Sequence, residues 1–238
     1  MMVLEALLIL LLAIAIDLAL GDPPDIVHPV AWMGRVISLL EKGSPGKNHL
    51  AQFLYGAVIT IVTMGLFVVP VYFILFYLRG LSPVAYVIVA AVLFKLTFSM
   101  RGLRQAALKV KGLLLENKLD EARFELRSLV SRDTRELSAP LIVSATVESV
   151  AENASDSFVA PLFYFLLFGV PGAIAYRVVN TLDAQIGYHG EYEYLGKFAC
   201  RLDDILNYIP ARLTALLLVL AAFLRRRNGR KGVIGPFG

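Results

Sequence analysis

Cysteine occurs once in this 238-residue chain, at Cys200. A single cysteine excludes an intrachain disulfide and a cysteine-based zinc site. No histidine stands near it in sequence, so Cys200 reads as a small apolar filler rather than a nucleophile. Histidine is also scarce: His28, His49 and His189 are too scattered to make a spaced metal motif. Charged residues are few, at 18% against about 25% in an ordinary soluble domain, while 58% of the chain is hydrophobic. No Walker loop or glycine-rich dinucleotide fingerprint is present, so any nucleotide binds in a different way. The chain shows no internal repeat and no low-complexity tract.

What is abundant is apolar sequence. Mean hydropathy is +0.69, which points to an integral membrane protein. Val3–Leu20 is apolar except for Glu5 and Asp17. It has no basic start and no small-x-small cleavage site before Gly21-Asp-Pro-Pro, so it reads as a membrane helix rather than a signal peptide. Residues 53–78 are long enough to span about 30 Å of hydrocarbon, with a kink expected at Pro70. A third helix is expected over 84–100, with Lys95 snorkelling near its end. Residues 139–176 and 205–224 complete the apolar set.

Between them, 101–135 alternates apolar and basic faces and predicts an amphipathic helical hairpin lying near the membrane. It holds nine Lys or Arg, and 225–231 holds five more. The positive-inside rule assigns both to the cytoplasm. The expected fold is therefore all-α: a single polytopic membrane domain over 1–238, about four or five membrane segments, and a cytoplasmic hairpin. Two arrangements of 139–176 stay open. As one span it sends 177–210 outward; as a helical hairpin it keeps that segment inside. Basic residues beside apolar spans suit anionic lipid better than nucleic acid, so the expected partner is the bilayer of the cell membrane.

The most informative stretch is Glu148-Ser-Val-Ala-Glu152-Asn153-Ala-Ser-Asp156. On a helix, carboxylates four apart share one face. Such a stripe repels itself, and near a bilayer each charge is costly. Its likeliest purpose is to meet a cation, a cationic substrate group or a proton. With Asn153 it suits Mg²⁺, which is usually held by one or two carboxylates plus substrate phosphates. Asn180 and Asp183 repeat the polar spacing, as do Asp203, Asp204 and Asn207. Arg132, Asp133 and Thr134 could cap a helix or grip phosphate, since guanidinium binds phosphate bidentately. Asp22 and His28, bracketed by prolines, form a stiff loop directly after a membrane helix.

The sequence resembles a known family in several blocks, in order. Asp17-Leu-Ala-Leu-Gly-Asp-Pro-Pro, His28-Pro-Val and Met33-Gly-Arg35 resemble the opening of the cobalamin-biosynthesis membrane proteins called CbiB in the anaerobic pathway and CobD in the aerobic one. Ser131-Arg-Asp-Thr, the 148–156 block, Val179-Asn-Thr-Leu-Asp183, Arg201-Leu-Asp-Asp and Ile209-Pro-Ala-Arg212 follow. The resemblance implies an ATP- and Mg²⁺-dependent adenosylcobinamide-phosphate synthase. Such a ligase joins a corrinoid propionate carboxyl to the amine of an amino-alcohol phosphate. Under it, Glu148, Glu152, Asp156, Asp183, Asp203 and Asp204 are expected at metal or amine. Arg35, Arg132, Asp133, Thr134, Asn153, Asn180, Arg201 and Arg212 are expected at substrate or phosphate. His28 or Asp22 is expected to help deprotonate the amine. Other pathway enzymes or a second copy are possible partners.

Members of that family generally continue for several tens of residues past the last helix here, and 225–238 do not resemble that continuation. The alternatives are a non-catalytic membrane scaffold or signalling relative, and a transporter using the acidic stripe as a cation path. The few spans and the large hairpin count against the transporter.

Overall fold

A computed structural model describes residues 3–24, 26, 28–46, 48–130, 133–187 and 193–229. Among the described residues every regular element is helical: α1 (Val3–Leu20), α2 (Pro29–Glu41), α3 (His49–Leu81), α4 (Pro83–Lys95), α5 (Met100–Leu115), α6 (Leu119–Leu126), α7 (Ala139–Ala154), a π-helical turn (Ser155–Val159), α8 (Ala160–Ile186) and α9 (Glu193–Gly229). Five helical stretches are long and apolar enough to cross a membrane. The fold is all-α and polytopic.

Local chemistry sets the helix starts. His28 caps α2 through Nδ1, which accepts from the Val30 amide, and Pro29 occupies the first turn. Asn48 caps α3 by accepting from Leu50 and Ala51. Ser82 caps α4, followed by Pro83.

The third expected helix ends earlier than its apolar run suggests. α4 stops at Lys95, and 96–99 form a turn before α5. Lys95 does not snorkel. It is 2% exposed, 3.2 Å from Asp17 and 2.5 Å from Asp22. Ser99 also donates to Asp22, and the Arg101 amide donates to Asp17 at 3.0 Å. These bonds take the backbone out of the helix and tie the ends of α1, α4 and α5 together. At the other end of the bundle, Arg79 reaches Glu5 at 2.9 Å.

The 139–186 stretch is the hairpin alternative, not a straight span. Gly169 has φ +70° and ψ −162°, a conformation that suits glycine alone. Tyr164 and Tyr176 stack with centroids 5.3 Å apart, although twelve residues of straight helix would separate them by about 18 Å. Gly172 sits against Phe168 and the Tyr164 carbonyl, where a Cβ would fall 2.5 and 2.7 Å away. The chain therefore doubles back at Gly169, beside Val3, Arg79 and Tyr86. Asp156 and Arg177 come together at the opposite end, near Ser99, whose amide donates to the Ser157 carbonyl.

The segment 177–210 is largely helical among the described residues: 177–186 continues α8, and 193–210 begins the 37-residue α9. The α5–α6 hairpin turns its expected apolar face to protein. Its apolar face, with Val110, Ala122 and Leu126, packs on Ile142 and Ala145 of α7. The main core joins α1, α2, α3, α4, α8 and the start of α9 around Ile9, Met33, Ile59, Phe94, Phe165 and Leu195. Past Pro210, α9 exposes Leu216, Leu217, Val219 and Phe223.

Replacing Lys95 with methionine leaves Asp17 buried without its cation, at an expected cost of about 3–5 kcal/mol. The double variant Asp17→Asn/Lys95→Met should recover part of it. Thermal unfolding of the solubilised chain reads both. Equal midpoints for wild type and Lys95→Met would remove this ion pair as a determinant of the fold.

Candidate functional site

The fold-back makes the site. The first leg carries Glu148 and Glu152 on α7 and Asp156 in the π-helical turn. The returning leg carries Arg177, Asn180 and Asp183. All six line one cavity of about 680 Å³, together with Ser149, Asn153 and Ser157. The π-turn adds an extra residue to the helix at this point, a device that recurs at functional sites. Asp156 and Asp183 are close enough to repel each other, and both act on Asp203. The acidic stripe read from the sequence therefore faces a cavity and not lipid.

A hydrogen-bond ladder holds the first leg. Ser149 donates to the Leu129 carbonyl at 2.5 Å, and Asn153 Nδ2 donates to the Ser149 carbonyl at 2.9 Å. Ser157 donates to Asn153 Oδ1 at 3.4 Å. Behind the second leg, Tyr176 donates to Asn207 Oδ1 and Asn207 Nδ2 to Asp203 Oδ2, both at 2.8 Å. Asp203 is 8% exposed, and its other oxygen is enclosed without a hydrogen bond. Cys200 stands within electrostatic reach of the Asp183 carboxylate.

A second cavity, of about 920 Å³, lies across the same returning leg. Asp22, His28, Arg35, Ser38 and Lys42 line it, with Thr181, Ala184 and Gln185 from α8. Ala184 borders both cavities. Asp22 belongs at once to this cavity and to the Lys95 cluster. Burial pushes its carboxyl up, but the Lys95 ammonium, the Ser99 hydroxyl and the charge of His28 together hold it below the usual carboxylate range. Asp22 is thus a committed carboxylate and a weak base.

The other expected residues fall elsewhere. Thr134 is buried and donates to the Arg123 carbonyl at 2.8 Å. Asp133 pairs with Arg135 at 2.6 Å, which holds its carboxyl far below the usual range. Arg132 lies outside the described residues. Arg201 and Asp204 face each other on the exposed side of α9, 3.7 Å apart, though Asp204 still acts on Asp183. Arg212 lies over the Tyr208 ring, 3.5 Å from its centroid, and lines neither cavity. Among the described residues, no three His, Cys, Asp or Glu side chains converge tightly enough to cage a metal ion. The carboxylates line an open cavity, with hard oxygen donors that match Mg²⁺ in chemistry.

A protein-family model described as CobD/Cbib protein matches residues 10–232. The chain belongs to the CobD/CbiB family. The cobalamin biosynthesis protein CobD of Dehalococcoides mccartyi strain CBDB1 is 58% identical over 224 residues, covering 93% of this chain and 72% of that protein. A probable cobalamin biosynthesis protein CobD of Pyrococcus furiosus is 44% identical over 210 residues, covering 87% of this chain and 70% of its own length. One from Methanothermobacter thermautotrophicus is 44% identical over 223 residues, covering 93% and 72%. No solved structure matches the chain.

Three residues in or beside the site have no role assigned from the sequence. Arg177 heads the polar cluster of Asn180 and Asp183 but receives no role of its own from the sequence, and Lys95 reads as an interfacial lysine. Ser149 carried no motif beyond its place in the acidic block. The helical spacing of Arg177, Asn180 and Thr181 was the available signal for the returning leg.

Because the folded chain favours ionised Asp22, the associated stability is present above the ordinary carboxylate range. It is lost as pH falls through the depressed value of Asp22. Melting of the solubilised chain should therefore steepen in acid below a pH of about 4, and Asp22→Asn should flatten that slope. Identical slopes would detach Asp22 from the acid response.

Proposed function

We propose that this chain is the amide ligase of corrinoid assembly, joining a corrinoid carboxyl to the amine of an amino-alcohol phosphate with ATP and Mg²⁺. The pathway follows from the family, whose members 58% and 44% identical to this chain are named cobalamin biosynthesis proteins. The observation that carries the reaction is the pairing of two cavities of opposite character across one helix leg. One is lined by four carboxylates, the other by Arg35 and Lys42.

Amide synthesis from a carboxylate requires activation, usually as an acyl phosphate, and then attack by a neutral amine. Activation needs positive groups and Mg²⁺ around the phosphates. Glu148, Glu152, Asp156 and Asp183 would hold Mg²⁺ and receive the ammonium. Arg35 and Lys42 are set to hold anionic groups. His28 lines that cavity too, on the carboxyl donor's side of the wall, and would accept the proton once the amine reaches the carboxyl there. Both cavities sit at the end of the bundle that carries the basic α5–α6 hairpin. The nine basic residues of 101–135 would place that end in the cytoplasm by the positive-inside rule, where ATP is found, with the basic 225–231 an exception to the rule.

The test is complementation of a bacterium lacking its own cobinamide-phosphate synthase. The chain should restore growth that depends on de novo cobalamin, without added cobinamide. The double variant Glu148→Ala/Glu152→Ala should reach the membrane and fail to restore it. Growth supported by that variant would remove the first leg from the site. Failure of the parent chain despite membrane insertion would favour the scaffold alternative.

A further inference from the structure

Arg177 stands on the returning leg, inside the acidic cavity. Among the described residues it makes no ion pair, and its hydrogen bonding is limited to Nη1 donating to Asn180 Oδ1 at 3.2 Å. Nε is enclosed by protein and meets no acceptor, while Nη2 is neither bonded nor enclosed. A part-buried guanidinium with no carboxylate closed on it is costly, and the chain keeps one within electrostatic reach of Asp156. Lys95, the one fully buried Lys or Arg among the described residues, has two anions. Asp156 does not close onto Arg177, so a forked donor remains available at the cavity wall.

The surroundings say which anion fits. Glu148, Glu152, Asp156 and Asp183 line the same space, and with no metal on them they repel a ligand that brings negative charge alone. A ligand carrying its own ammonium a few bonds from an oxyanion satisfies both poles. The ammonium meets Asp156 and Asp183, and the oxyanion takes the guanidinium fork. A cavity of about 680 Å³ also suits a small ligand better than a corrinoid macrocycle.

We propose that Arg177 is the specificity-determining residue for the amine substrate: it binds the phosphate of a short phosphorylated amino alcohol and so sets the preference for the phosphorylated over the free amino alcohol. This rests on the ligase reading above, and it adds a residue and a discrimination to it.

Binding is measured by calorimetry on the full chain in lipid nanodiscs, with aminopropanol phosphate, aminopropanol and Mg–ATP as separate probes. Wild type should prefer the phosphorylated amine by about ten- to a hundredfold, the range of a lost hydrogen bond to a charged group. Arg177→Gln should bring the two amines to within about threefold and leave Mg–ATP affinity unchanged. Arg177→Lys should keep an intermediate preference, because a point charge replaces the fork. It carries the comparison if the glutamine variant does not insert. An unchanged preference in both variants would overturn the proposal and leave the ligase reading standing. Loss of Mg–ATP binding with the amine preference intact would reassign Arg177 to the nucleotide and overturn it too. A wild-type chain that binds neither amine would sink this proposal and the ligase reading together.

Discussion

The site depends on one reversal of direction. Carboxylates at 148, 152 and 156 lie on one leg, and Arg177, Asn180 and Asp183 on the other. On a straight helix, Asp156 and Arg177 would be about 30 Å apart. The turn at Gly169 brings them into one cavity. That turn uses a backbone conformation a side chain would strain, and Gly172 beside it admits the close approach of the two legs. The stacked rings of Tyr164 and Tyr176 fill the space below the turn. The charged ends are thereby placed at the bundle's basic end, and the turn itself sits among apolar Leu166, Leu167 and Phe168.

The second support is electrostatic. In a low-dielectric interior an unpaired ammonium is expensive, and the chain answers by closing two carboxylates on Lys95. This cluster breaks the helix between α4 and α5 and sets where the α5–α6 hairpin begins. Asp22 extends it to the wall of the second cavity. Both cavities are thus fixed to the same packed frame: one through the Ser157–Ser99 contact, the other through Asp22.

Much of this was legible in the sequence. The apolar runs gave the spanning helices, and the spacing of Glu148, Glu152 and Asp156 gave the face that turns to the cavity. What the sequence hid were consequences of tertiary contact. The 84–100 run is apolar almost throughout, so nothing local marks its break at Lys95; the cause is Asp17 and Asp22, more than seventy residues earlier. A glycine at 169 before Pro171 permits a bend, but the sequence has many glycines, and the size of this one follows from the packing of the two legs. The amphipathic pattern of α5 and α6 reads equally as a membrane face or a protein face. Leu126 and Val110 found Ile142 on α7 instead. Arg201 and Arg212 carried the same chemistry on paper as Arg177, yet α9 turns them away from both cavities.

The division into two cavities bears on how a ligase of this kind would work. A carboxyl donor and an amine must meet, but a corrinoid and a small phosphorylated amine have little shape in common. One pocket serving both would fit neither. Here a single leg, from Asn180 to Gln185, forms a wall common to two pockets, and Ala184 borders each. Two ligands held on either side of that wall stay within a helix diameter of each other, about 10 Å. Closing that last distance converts an encounter in solution into a reaction between held groups, and proximity of that order is a large part of what an enzyme supplies. In the proposed ligase the opposite charges of the two linings would sort reacting groups: the acidic side would repel the corrinoid carboxyl and draw the ammonium end of the amine, with Arg177 taking its phosphate.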